Sequence, residues 1–174
     1  ETALFDMQRA WEMLPADLRA RFRRSHFGHV YARTGRAEKV PAVVLHPQSG
    51  APCLQFYCFG RAARDCIDFY RAKSGRYHTI VDPYSYEMSV EKDMLLTSED
   101  NKTTPFIGLD LYRTLSSIYD SMFAHRWRKG DIVLVDNVRF AHARLDGFGE
   151  NRSIRFLHYG PADRSFHLNK LKRP

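Results

Sequence analysis

The chain has 174 residues, of which 44% are hydrophobic and 13% aromatic, which suits one domain with a buried core and excludes a disordered segment. A formal charge of +7 permits an anionic partner, but the basic residues are dispersed; only Arg19 to Arg24 and Lys170 to Pro174 are dense, and both read as solvated surface, so a nucleic-acid role is disfavoured. No apolar run approaches the roughly 20 residues of a membrane span and no signal peptide is visible. Cys53, Cys58 and Cys66 have neither zinc spacing nor the density of a disulfide scaffold, so the cytosol is the expected compartment.

In chain order, Thr2-Ala3-Leu4-Phe5-Asp6 leads into a helical pattern with Met7, Ala10, Trp11 and Leu14 on one face. Leu18 and Phe22 continue that face after Pro15, which suits the first turn of a second short helix. Thr2 reads locally as a cap or strand-end residue. Residues 25–60 alternate loop and strand, with strands expected at 25–31, 41–46 and 53–59, and Pro47-Gln48-Ser49-Gly50 turning a hairpin between the last two. His46 reads as structural. His26 and His29 have the spacing of metal ligands, but Gly28 and the lack of a nearby carboxylate argue against a metal.

Residues 61–108 carry the weakest pattern and read as a variable insertion or lid. Within them Thr97 to Thr104 is polar, charged and bounded by Pro105, and a mobile loop is expected there. His78 and Asp82 are four residues apart on an extended segment, on one side but not adjacent. Residues 109–124 form the clearest helix, with Leu111, Leu115, Ile118, Tyr119 and Met122 at helical spacing.

The most informative stretch is Trp127 to Phe156, WRKGDIVLVDNVRFAHARLDGFGENRSIRF. Trp127 to Asp131 is a turn feeding Ile132-Val133-Leu134-Val135, a β-branched run short enough for a buried strand, which Asp136-Asn137 stops. After His142 the turn residues Asp146-Gly147-Phe148-Gly149 lead into a second strand, Arg152 to His158, so an antiparallel pair with His142 near its mouth is expected. His142 and Arg152 are ten residues apart, and the turn would return the arginine beside the imidazole. Imidazole suits iron(II) and a guanidinium fork suits a carboxylate, so the pair suits a metal and an acid that chelates it. Taken singly, a satisfied turn histidine and a surface arginine would also account for them.

The pattern W-x-x-G-D, four apolar residues, D-N-x-x-x-x-H-x-R-x-x-x-F-G-x-x-R resembles the C-terminal signature of the TauD/TfdA (taurine dioxygenase) family of iron(II)/2-oxoglutarate oxygenases. His-Ala-Arg followed by Phe148-Gly149 is most similar to its clavaminate-synthase-like and syringomycin-pathway-like branch. AWEMLPADLRARF resembles the family's A-(Y/W)-x-x-L-P-x-x-L-R helix, and His46-Pro47-Gln48-Ser49-Gly50 its His-Pro-x-(S/T)-Gly hairpin. The resemblance implies a mainly β fold with flanking helices, a double-stranded β-helix or jelly roll. It implies His142 as the distal iron ligand, Arg152 as the partner of the far carboxylate of 2-oxoglutarate and Thr2 as a further 2-oxoglutarate contact. Arg144 would pair a substrate or cosubstrate carboxylate, or form a salt bridge at the rim. Iron(II), 2-oxoglutarate and O2 would serve to oxidise an unactivated C–H bond of a small amino-acid-like or natural-product substrate, releasing succinate and CO2.

Two departures from the family pattern stand out. The family's first metal pair, His-x-Asp or His-x-Glu, precedes the threonine, whereas none of the eight histidines here is followed two places later by Asp or Glu. The expectation is therefore that this chain is the C-terminal portion of a longer oxygenase, incomplete at the N-terminus and inactive alone, with a degenerate relative as the alternative. Many relatives also carry a second basic residue four positions after the principal arginine, where this chain has Phe156. The competing functional readings are a non-catalytic jelly-roll module that binds a small acid or a partner, and a basic nucleic-acid-binding domain.

Overall fold

The computed structural model describes residues 2–31, 36–56 and 95–144. Strand β1 (Thr2–Asp6) runs into helix α1 (Met7–Met13), and Asp6 caps that helix by accepting from the Arg9 N–H at 3.2 Å. The helix ends at Leu14, whose ψ of 141° is the extended conformation that a following proline enforces. Pro15 then opens α2 (Ala16–Phe22), as its fixed φ favours. Strands β2 (His26–Tyr31), β3 (Arg36–Pro41), β4 (Val43–Leu45), β5 (Pro52–Leu54), β6 (Leu95–Thr97) and β7 (Thr103–Pro105) follow. Helix α3 (Gly108–Asp120), β8 (Met122–His125) and β9 (Phe140–Arg144) complete the described elements.

The described strands form three antiparallel sheets, in the orders β8-β1-β9, β3-β2-β6-β7 and β4-β5. The mainly β expectation is met at that level. The β4-β5 hairpin lies where Pro47 to Gly50 calls for it, with Gly50 at φ +69°.

One hydrophobic core joins the helices to the sheets. Met7, Ala10 and Trp11 on α1, Leu14 at its C-cap, Leu18 and Phe22 on α2, and Leu111, Leu115 and Ile118 on α3 pack with Ala3 and Phe5 of β1. Phe27 stands at the centre of an aromatic cluster, edge-to-face with Phe22, Phe56 and Phe106 at centroid distances of 5.3, 5.2 and 5.5 Å. Each such ring contributes about 1.5–3 kcal/mol by burial alone. Outside the core, Arg113 grips Asp17 with two bonds of 2.9 Å and Arg21 reaches Asp110 at 2.7 Å, binding α2 to α3 at the surface.

Three local expectations are corrected. Ile132 to Val135 is not a buried strand: it joins no ladder among the described residues, and Ile132 and Leu134 are 87% and 92% exposed. An apolar β-branched run is buried as a strand only where a neighbour satisfies its backbone, and no described strand lies beside this one. Thr97 to Thr104 is not an open loop but the closed end of the β6-β7 hairpin, in which Thr97 is buried and shares a 3.0 Å hydroxyl bond with Thr103. Its polar residues bond to one another, Ser98 to Asp100 and to the Lys102 carbonyl, while Asn101 takes the left-handed φ of 61° that asparagine tolerates. The helix expected over 109–124 stops at Asp120, and Met122 begins β8 instead.

Candidate functional site

The two ends of the described chain meet in the β8-β1-β9 sheet. Its register sets Leu4 opposite His142 and Thr2 opposite Arg144 on one side, and Leu4 opposite Phe123 and Thr2 opposite His125 on the other. Directly opposed residues share a face and alternate residues along a strand return to it. Ala3, Phe5, Ala141 and Ala143 therefore face the core. Thr2, Leu4, Phe123, His125, Phe140 and His142 belong to the other face. There the Phe123 and Phe140 rings meet edge-to-face at 6.0 Å across β1, and His142 is exposed. His142 thus sits within a strand, β9, rather than in a turn; the strand expected over 152–158, beside whose mouth it was placed, lies outside the described residues. It lies beside Thr2, from which the sequence separates it by well over a hundred residues.

Thr2 is engaged by Trp127, the first residue of the W-x-x-G-D turn. The Trp127 indole N–H donates to the Thr2 hydroxyl oxygen at 2.8 Å. The indole is itself positioned: its ring stands perpendicular to that of His125 at 4.7 Å, and His125 Nε2 pairs with Asp131 Oδ2 at 3.0 Å. Asp131 also accepts from the Arg128 N–H at 2.8 Å, and its own N–H donates to the Arg128 carbonyl at 3.1 Å. Gly130, at φ +93°, provides the left-handed residue that closes this turn. The W-x-x-G-D spacing in the sequence was the available signal for this arrangement.

Two polar tethers hold the segment that enters β9. Arg139 grips Asp6 through Nε at 3.2 Å and a terminal nitrogen at 2.6 Å, while the Met7 N–H donates to the Arg139 carbonyl at 2.8 Å. Burial acts to raise the Asp6 carboxyl, but the Arg139 fork and the Arg9 N–H outweigh it and hold the group below the ordinary carboxylate range. The second tether runs from His46, in the β4-β5 turn, to Asp136 at 2.6 Å. His46 Nδ1 accepts from the Ser49 N–H at 3.2 Å, so Nε2 carries the proton given to Asp136. Asp136 also accepts from the Val138 and Arg139 N–H groups; burial opposes its ionisation, and these bonds with His46 overcome it and lower its pKa. His46 is structural, as expected, but the sequence did not reveal its partner 90 positions away.

Two imidazoles and a carboxylate make the usual open-sided site for iron(II). His142 supplies one imidazole, and among the described residues no three His, Cys, Asp or Glu side chains come together to hold a metal ion. The described residues therefore do not fit iron by themselves. The Thr2 hydroxyl accepts from Trp127, and the ladder sets position 144, an arginine, directly opposite Thr2. Arg152 and the candidate pair His78 and Asp82 lie outside the described residues, as does the expected strand from 152 to 158. His26 and His29 both lie on β2.

Of the dense basic stretch, Arg21 is committed to Asp110 and Arg23 lies 5.8 Å over the Trp11 ring. No helix among the described residues is long and apolar enough to cross a membrane. No curated protein matches the chain. The sequence model of the family described as "Taurine catabolism dioxygenase TauD, TfdA family" matches residues 1–158, so the chain belongs to that family, one of iron(II)/2-oxoglutarate-dependent dioxygenases.

Proposed function

We propose that this chain forms the distal part of an iron(II)/2-oxoglutarate-dependent oxygenase that hydroxylates an unactivated C–H bond of a small amino-acid-like or natural-product substrate, releasing succinate and CO2. The observation that carries this reading is the β1-β9 register. It brings together Thr2 and His142, which the family resemblance assigns independently to one site. In this reading His142 is one metal ligand, and the Thr2 hydroxyl and Arg152 hold the carboxylates of 2-oxoglutarate. Arg144, opposite Thr2, meets a substrate or cosubstrate carboxylate. The intact fold is the double-stranded β-helix, and the remaining metal ligands come from residues outside those described. Iron with 2-oxoglutarate supplies the oxidising chemistry, while the protein binds, orients and excludes water.

Incubating the full protein with iron(II), 2-oxoglutarate and a panel of amino acids, then analysing products by mass spectrometry, tests the proposal. A 2-oxoglutarate-dependent product heavier by one oxygen is expected, and succinate formation by neither wild type nor any iron-loaded preparation would refute it. That no three His, Cys, Asp or Glu side chains come together among the described residues gives specific support to a second reading, a jelly-roll module that binds a small acid without redox chemistry. That reading predicts carboxylate binding that is indifferent to iron.

A further inference from the structure

We propose that Trp127 is a positioning residue for the carboxylate site and sets the Thr2 hydroxyl as a hydrogen-bond donor. The inference rests on the 2-oxoglutarate reading above and adds a residue and a polarity to it. An indole N–H can only donate, and a threonine hydroxyl has two acceptor lone pairs and one proton. With Trp127 Nε1 2.8 Å from Thr2 Oγ1, one lone pair is occupied and the hydroxyl proton must turn away from the indole. Among the described residues, no acceptor takes that proton. The ladder fixes Thr2 on the face that carries His142, with Arg144 directly opposite. The proton is thereby left for an acceptor on that face, and a ligand carboxylate is such an acceptor; a donor ligand at the same place would meet a hydroxyl already saturated on one side.

The direction of the bond is maintained from behind. Asp131 holds His125, the His125 ring stands edge-on to the indole, and the turn from Arg128 to Asp131 closes on itself through the Asp131 N–H bond to the Arg128 carbonyl and the Arg128 N–H bond to the Asp131 carboxylate. His125 is the residue paired with Thr2 across β1-β8, so the turn folds back onto the residue it serves. A donation from Trp127 also polarises the hydroxyl and strengthens the bond it makes in turn.

Three variants test the inference: Trp127→Phe, which keeps a ring and removes the N–H, Thr2→Val, which keeps the shape and removes the hydroxyl, and the double variant. In the full protein, 2-oxoglutarate affinity measured by calorimetry is expected to fall about three- to tenfold for W127F, the worth of one hydrogen bond. W127F added to T2V is expected to cause no further loss, because Trp127 acts through Thr2. KM for 2-oxoglutarate should rise with kcat unchanged at saturation, as for lost ground-state binding. In nitrogen-proton NMR spectra the Trp127 indole signal, identified by its loss in W127F, should shift in T2V and on addition of 2-oxoglutarate. Unchanged affinity in W127F, an equal loss in both backgrounds, or an indole signal indifferent to T2V would overturn the positioning role while the wild-type protein still bound 2-oxoglutarate. A wild-type protein that does not bind 2-oxoglutarate would overturn the functional reading and this inference with it.

Discussion

Asp6 is the residue whose loss should be felt most widely outside the core, because it joins the first helix to the strand that carries His142. Substituting alanine removes the cap of α1, worth about 1 kcal/mol. It also removes the two-bond pair with Arg139. That pair is intermediate in character, with the Asp6 side chain 15% exposed and that of Arg139 43% exposed. A contribution of about 1 kcal/mol is appropriate, at the top of the range for exposed pairs and well below that for buried ones. Asp6→Ala should therefore cost about 2 kcal/mol, which for a domain of this size lowers Tm by about 4–8 °C. Asp6→Asn keeps a capping acceptor and should cost about half as much. Urea unfolding of both variants, with Arg139→Ala and the double variant, provides the assay. The cycle should return a coupling near 1 kcal/mol. A loss below about 0.5 kcal/mol for Asp6→Ala, or strictly additive single variants, would refute the bridging role.

Other consequences can be measured in the same protein. Asp6 and Asp136 both have folded pKa values below their unfolded ones, so the unfolded state binds protons first as pH falls. Their stabilisation should be complete above the unfolded value near pH 4 and should drain away as pH drops through the folded values; urea midpoints between about pH 2.5 and 6 should show a slope that Asp6→Asn and Asp136→Asn flatten. Cys53 is fully buried, and burial together with the negative Asp136 and Asp6 pushes its thiol up to about 11. With Cys58 and Cys66 replaced by serine, a disulfide reagent at pH 8 should label Cys53 only as fast as the protein opens, and rapid labelling would contradict the burial. Arg152→Ala should weaken 2-oxoglutarate binding by several kcal/mol in calorimetry if Arg152 is the bidentate carboxylate partner. Iron(II) titration of the 174-residue chain alone should give no stoichiometric binding; tight binding would direct attention to His26, His29, His78 and Asp82.

The parts of this fold that can be read from sequence are those whose signal is local. The faces of α1, α2 and α3 follow from apolar residues three and four apart, and the β4-β5 turn follows from Pro47 to Gly50. Strands β8 and β9 did not announce themselves. MFAH and FAHAR are short and mix apolar with polar residues, and they become strands because β1 lies between them to receive their backbone bonds. Ile132 to Val135 shows the converse, a strong strand pattern with no described partner. At the candidate site, Thr2 and His142 were each identifiable by motif. Their adjacency, the donation from Trp127 and the His46–Asp136 tether were not, since each depends on a pairing made across most of the chain.

The central claim is that His142 belongs to the metal site of a 2-oxoglutarate-consuming oxygenase. Its most direct test is succinate release from 2-oxoglutarate by the full protein with iron(II) and O2, comparing wild type with His142→Ala. The account predicts iron-dependent succinate release by the wild type and its loss to background in His142→Ala, with the thermal transition of the variant unchanged because the side chain is exposed on the sheet. Succinate release that survives the substitution would contradict it.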